Sequence, residues 1–174
     1  MNRNKKIVYS ALFLAIGIVF PFLTAQVKEI GDTLLPMHFP VMLCGFLCGP
    51  WYGLAVGFLL PFSRSVLFGM PPIFPNACWM ALELATYGFV TGWLYHKASK
   101  KTIGWTYVCL IVAMLLGRLV WGLAKTVLLG FGDNPFTFSA FFVGGFLDAI
   151  PGIVLQLLII PLIITLIEKI IKLL

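Results

Sequence analysis

The sequence predicts an all-α integral membrane protein, a six-transmembrane-helix bundle with both termini cytoplasmic. Three observations predict it. The first is composition: of 174 residues 61% are hydrophobic and 10% charged, with a mean hydropathy of +1.05. Water-soluble domains carry about 25% charged residues, because a surface facing water needs them. Here lipid must solvate most of the outside. The second is a succession of apolar runs on the scale of a bilayer crossing. The third is where the cations fall. Arg3, Lys5 and Lys6 precede the first run, Lys97, Lys100 and Lys101 share one loop, and Lys169 and Lys172 close the chain. Six spans put all three clusters on one side, which the positive-inside rule makes cytoplasmic. The net charge of +6 therefore marks topology and not a nucleic-acid surface.

Residues 1–174 read as a single membrane domain with spans at about 7–24, 35–48, 53–68, 77–95, 105–129 and 139–167. The first run follows NRNKK as a signal peptide would. It offers only a weak small-residue site near Thr24 and Ala25, and further spans follow, so it reads as a retained helix. Within it Ala11 and Ala15 lie four apart on one face, and a small-xxx-small pair lets another helix approach closely. The second span is short for a bilayer and is completed by residues 34–36 or by tilt. Pro61 is expected to kink the third span. GMPPIFPN makes a rigid turn into the fourth, and HKASKKT a basic loop after it. Pro151 and Pro161 are expected to interrupt the sixth, since proline frees carbonyls and bends a membrane helix.

The intramembrane polar residues gather at the helix ends opposite the basic clusters. PFSRSVLFGMPPIFPNACWMALELATYG places Arg64 and Glu83 in apolar sequence on either side of the turn. An ionisable group inside a span is costly and marks a site by default. The competing reading is that Arg64 snorkels to the headgroups and Glu83 pairs with a neighbouring cation. Arg118, Trp121 and Lys125 share one face at i, i+3, i+7, and Glu83 and Tyr87 share another at i, i+4. Asp148 falls about three turns into the sixth span, roughly 15 Å at 1.5 Å per residue. His38 stands where the second span begins, and Asn76 and Trp79 open the fourth. Gln156 lies deeper and reads as a helix–helix hydrogen bond. Arg64, Arg118 and Lys125 exceed Glu83 and Asp148 by one positive charge. Buried charges pair, so a cation left over suits a carboxylate or phosphate on a solute.

Chemistry of other kinds finds little support. No H-E-x-x-H, G-x-S-x-G or G-x-x-x-x-G-K-[ST] motif occurs. His38 with Glu83 imitates an acid–base pair, but no nucleophile stands beside them, which leaves an intramembrane enzyme without named roles. Cys44, Cys48, Cys78 and Cys109 all lie in apolar sequence and read as inert buried thiols, with no ligand set for a metal. His96 sits in the basic loop as a solvated residue.

The run PMHFPV…GPWYG…GMPP…P…ELATYG resembles the central region of the substrate-binding S components of energy-coupling factor (ECF) vitamin transporters. The resemblance is strongest over residues 35–92 and extends over the whole chain as a six-helix pattern. Ala11-x-x-x-Ala15 matches that family's A-x-x-x-A docking motif, a weak signal alone. The resemblance implies a receptor without enzymatic activity that captures a vitamin or precursor from outside the cell membrane. It implies delivery through a T component and two ATP-binding cassette ATPases, the S component toppling in the membrane to carry its pocket inward. The loop at residues 25–35 and the turn after the third span would gate the pocket. The GMPP turn points to the pantothenate branch, and the excess of positive charge favours an anionic solute. A B6-type vitamin, folate, cobalamin and a modified-base precursor stay open. The candidate solute residues are His38, Arg64, Asn76, Trp79, Glu83, Tyr87, Arg118, Trp121, Lys125 and Asp148; the candidate partner contacts are Ala11 and Ala15. The main competitor is a stand-alone secondary transporter or channel for a small anion, against which no inverted internal repeat is evident.

Overall fold

The structure, a computed structural model, describes residues 2–24, 33–99, 102–129 and 137–173. Every regular element among them is helical. Helix α1 (Arg3–Val19) runs into a 3-10 turn at Phe20–Thr24. Helices α2 (His38–Cys48) and α3 (Pro50–Phe68) meet at Gly49, whose φ of +108° suits only glycine. Pro50 opens α3, where a missing N–H costs nothing. A π-type turn, Ile73–Ala77, leads into α4 (Cys78–Lys97), followed by α5 (Ile103–Leu129). The last segment comprises α6 (Phe138–Phe142), a second π-type turn (Val143–Leu147) and α7 (Ile150–Leu173).

Four stretches are long and apolar enough to cross a membrane: Arg3–Phe22, Pro50–Phe68, Ile103–Leu129 and Ser139–Ile170. Helix α2 has 11 residues, and nearly all of them are buried. It is walled by protein, packing against α1, α3, α4 and α7. Helix α4 is long enough but carries Glu83, Thr86, Tyr87, Thr91 and Tyr95, which lower its hydropathy. It too is surrounded, by α2, α3 and α5. The least lipid-like helices are thus the innermost ones.

What lets α4 sit so deep is glycine. A Cβ placed on Gly88 would lie 2.2 Å from the Gly53 carbonyl oxygen, and one on Gly57 would lie 2.3 Å from that of Leu84. Backbones of α3 and α4 therefore touch directly, the packing that drives association in lipid. This crossing fixes the C-terminal end of α3 beside the N-terminal half of α4, and with them Arg64 near Glu83.

One expectation about proline is corrected: α7 continues through Pro161 without interruption. Pro61 lies inside α3, which runs on to Phe68. Near Pro151 the helical hydrogen-bond pattern changes at Asp148–Ala149, with Pro151 in the first turn of α7, since proline clashes with the carbonyl four residues back, here Leu147. Asp148 keeps helical backbone angles (φ −67°, ψ −27°) within the stretch Ser139–Ile170, and it is exposed. Of the loop at residues 25–35, positions 25–32 lie outside the described residues, as do Lys100 and Lys101.

Candidate functional site

A cavity of about 580 Å³ opens where the C-terminal end of α3, the Met70–Pro72 turn, α4, α5 and the Gly144–Asp148 segment converge. Its wall includes His38, Arg64, Asn76, Trp79, Glu83, Arg118, Trp121, Lys125 and Asp148. Residues separated by up to 110 positions in sequence thus share one space (38 to 148). Tyr87 is the candidate that does not reach this wall. It lies one turn along α4 from Glu83 and lines a second, smaller cavity instead.

The floor is organised on one carboxylate oxygen. Glu83 is 2% exposed, and its Oε1 receives Arg118 Nη1 at 2.8 Å, Tyr87 OH at 3.0 Å and His38 Nε2 at 3.5 Å. The first of these is an ion pair with Arg118, itself 4% exposed. Helix periodicity explains the Tyr87 contact, since i and i+4 share a face. The other two are tertiary and join α2 and α5 to α4. The bland reading of Glu83 is correct in part: it pairs with a cation. The other ring nitrogen of His38, Nδ1, is buried with no hydrogen-bond partner among the described residues.

Arg64 is held differently. It is 3% exposed, so it does not snorkel. Its Nη1 donates to the carbonyl of Ile18 near the end of α1. Its guanidinium lies 5.6 Å from the Phe22 ring centroid and 5.5 Å from that of Phe68. These contacts orient it without neutralising it, and among the described residues no carboxylate reaches it. Lys125 stands between two indoles, its Nζ 5.2 Å from Trp79 and 4.5 Å from Trp121, while Arg118 Cζ is 5.8 Å from Trp121. Cation–π contact of this kind orders a cation beside an apolar wall.

Other parts of the wall escaped sequence reasoning. Leu35, Met37, Met70 and Met80 supply apolar surface, and apolar residues in apolar sequence carry no signal. Leu35 adopts φ +52°, rare for a side chain of its size. Ser65 Oγ donates to the Pro71 carbonyl and pins the turn over the cavity, a contact no spacing rule would find. Gln156 was expected to bridge helices. It is 1% exposed, and its amide nitrogen has no hydrogen-bond partner among the described residues.

The partner candidates occupy a different surface. Helix α1 turns Ser10 and Gly17 inward, and leaves Ala11 and Ala15 exposed on its outer side. His96 ends α4, exposed, its Nδ1–H donating to the Gly92 carbonyl at 2.9 Å.

A family model described as ECF transporter, substrate-specific component, matches residues 5–164. The chain belongs to this family. No curated protein and no solved structure matches it. All the cavity residues named above fall inside the matched region. Substrate-specific components of ECF transporters are binding subunits of membrane transport systems and not enzymes.

Proposed function

We propose that this chain is a high-affinity receptor in a six-span bundle with cytoplasmic termini, and that it captures a vitamin or vitamin precursor from outside. It then delivers the solute through a T component and two ATPases. The observation that supports the solute site is the charge balance of the cavity. Among its described residues Arg64, Arg118 and Lys125 face Glu83 and Asp148, and Glu83 is already paired with Arg118. Arg64, desolvated and oriented by two aromatic rings, is placed for a carboxylate or phosphate. His38, Asn76 and the two indoles supply uncharged contacts around it.

Pantothenate is the first candidate. It is anionic and small, and about 580 Å³ lies within the usual range for small-molecule sites. That size favours pantothenate or a B6-type vitamin over cobalamin, whose macrocycle and nucleotide loop need far more room. Orientation follows from the helix ends. The cavity residues sit at the end of α3 and the start of α4, whereas Arg3, Lys5, Lys6, Lys97 and Lys169 mark the start of α1 and the ends of α4 and α7. With the basic ends cytoplasmic the cavity faces outside. The exposed Ala11 and Ala15 face is the docking surface for the coupling protein.

Mass spectrometry of the small molecule that co-purifies with the chain tests the solute class. A corrinoid or a cation in place of a small anion would overturn it. Uptake into proteoliposomes tests the mode: transport by the chain alone, without coupling partners, would make it a stand-alone carrier.

A further inference from the structure

Between α5 and α7 lies the second cavity, of about 180 Å³. Ile111, Met114 and Leu115 of α5 and Ile153, Gln156 and Leu157 of α7 line it. At its mouth Ile111 is 47% exposed and Leu115 50% exposed, so it opens sideways out of the bundle. The same stripe of α5 continues through the exposed Leu119, four residues further on. On α7, Val154, Leu158 and Leu162 are exposed at the same spacing. The stretches that carry these residues, Ile103–Leu129 and Ser139–Ile170, are both long and apolar enough to cross a membrane. The mouth of the seam therefore faces hydrocarbon.

The lining decides what can fill this space. Besides Gln156, its polar members are Tyr87 and Arg118, which direct a hydroxyl and a guanidinium nitrogen to Glu83 at 3.0 and 2.8 Å. An ordered water needs two to four polar partners, so water suits the seam poorly. Left empty, the hollow would forfeit dispersion contacts along its wall. An apolar cavity of roughly 150 Å³ takes a benzene-sized guest. A space of about 180 Å³ thus has room for a short run of methylenes, and the bilayer presents methylenes at the mouth.

We propose that the α5–α7 seam holds one acyl chain of a membrane phospholipid, recognised by its tail and not by its headgroup. The chain packs against Tyr87 and Arg118, the donors that α4 and α5 supply to Glu83. Tyr87 is already pressed onto α5, since a Cβ on Gly117 would stand 2.3 Å from its Cε1. Leu35 and Arg118 line both cavities, so a filled seam backs the wall of the larger one. No solute enters the seam. The lipid is a structural ligand that stabilises the folded chain by mass action.

The test is native mass spectrometry of the whole chain, stripped of co-purified lipid and then incubated separately with palmitoyl-oleoyl phosphatidylglycerol and palmitoyl-oleoyl phosphatidylcholine. Leu115→Phe and Ile111→Phe fill the mouth at positions exposed enough to accept a ring. Leu119→Phe places the same ring on the same stripe but outside the seam. Wild type and Leu119→Phe should each retain one lipid of either headgroup under activation that removes loosely held lipid. The two mouth variants should retain about tenfold less, the scale of an overpacking clash. Added lipid should raise the melting temperature of the wild type and of Leu119→Phe, and leave that of the mouth variants nearly unchanged. A wild type that retains no lipid would overturn the proposal, as would equal retention by all three variants, the behaviour of annular lipid. Retention of phosphatidylglycerol alone would assign the contact to a headgroup and overturn it too. A lipid-free dimer would give the seam to a second copy of the chain, with the same result. If one mouth variant does not fold, the other decides; if neither folds, a wild-type melting temperature indifferent to lipid refutes the seam site.

Discussion

Arg64 and Arg118 are both buried cations in one cavity wall, and replacing each by Met should have opposite consequences. Arg118 is the ion-pair partner of Glu83 at 2.8 Å. Removing it strands a carboxylate that is 2% exposed. Breaking one side of a buried pair costs about 3–5 kcal/mol. Glu83 keeps Tyr87 and His38 as donors, so the lower end, about 3 kcal/mol, is expected. At about 2–4 °C per kcal/mol for a chain of this length, that is a fall of roughly 6–12 °C in melting temperature. The double variant Glu83→Gln with Arg118→Met should recover part of it, because no charge is then stranded. Arg64→Met removes no carboxylate's partner. It removes the hydrogen bond that Arg64 donates to the Ile18 carbonyl, at about 1.5–3 kcal/mol for a charged hydrogen bond, while the Met side chain still packs between Phe22 and Phe68. Its main effect should be on solute. Truncating one partner of a desolvated charge pair costs about 2–5 kcal/mol, or roughly 30-fold to a few thousandfold in Kd. Calorimetry of solute binding and thermal unfolding in the same detergent measure both quantities. The reasoning fails if Arg118→Met melts with the wild type, or if Arg64→Met binds within about threefold of it.

Solute should bind the purified chain without ATP, since the wall that would hold it lies within this chain alone; calorimetry that shows heat only once the ATPases are added would refute this. Ala11→Leu and Ala15→Leu should leave binding near normal and abolish uptake with the coupling complex, because both side chains are exposed on α1 and lie on the opposite side of it from the buried Gly17; wild-type uptake by both would remove the docking role. Gly88→Ala should lower thermal stability by about 1–3 kcal/mol, the cost of overpacking, because its Cβ would stand 2.2 Å from the Gly53 carbonyl oxygen. An unchanged melting temperature would mean that α3 and α4 are not in backbone contact.

How much was legible in the sequence depended on what each residue has to lose in lipid. Charges and indoles in apolar sequence announce themselves, because each is costly unless something uses it. His38, Arg64, Asn76, Trp79, Glu83, Arg118, Trp121, Lys125 and Asp148 were all visible this way, and the fold brings them to one wall. Which of them pair was not visible, since α2, α4 and α5 approach from distant parts of the chain. Tyr87 was placed on the correct face of α4, but one turn is about 5.4 Å, enough to move it from one cavity to the next. Met37 and Met80 were invisible for a plain reason: in a chain that is 61% hydrophobic an apolar residue distinguishes nothing.

The arrangement around Glu83 explains how described residues of one cavity wall can include three cations beside two carboxylates in a membrane. Three cations facing the same space would repel one another and favour collapse or unfolding. Here each is stabilised by a different means. Arg118 is neutralised by Glu83 at 2.8 Å, and that carboxylate is anchored by donors from α2 and from its own helix. Lys125 is spread over two indole faces. Arg64 is satisfied by a carbonyl dipole and two phenyl faces, which lower the cost of its charge without cancelling it. A carboxylate on Arg64 would have cancelled that charge and left nothing for an anion to gain. Dipoles and aromatic faces keep the guanidinium in place without cancelling its charge, which under the proposed function leaves its Coulombic attraction to an anionic solute. The same logic predicts the hierarchy among variants: Glu83 and Arg118 govern whether the bundle is stable, and Arg64 governs what it holds.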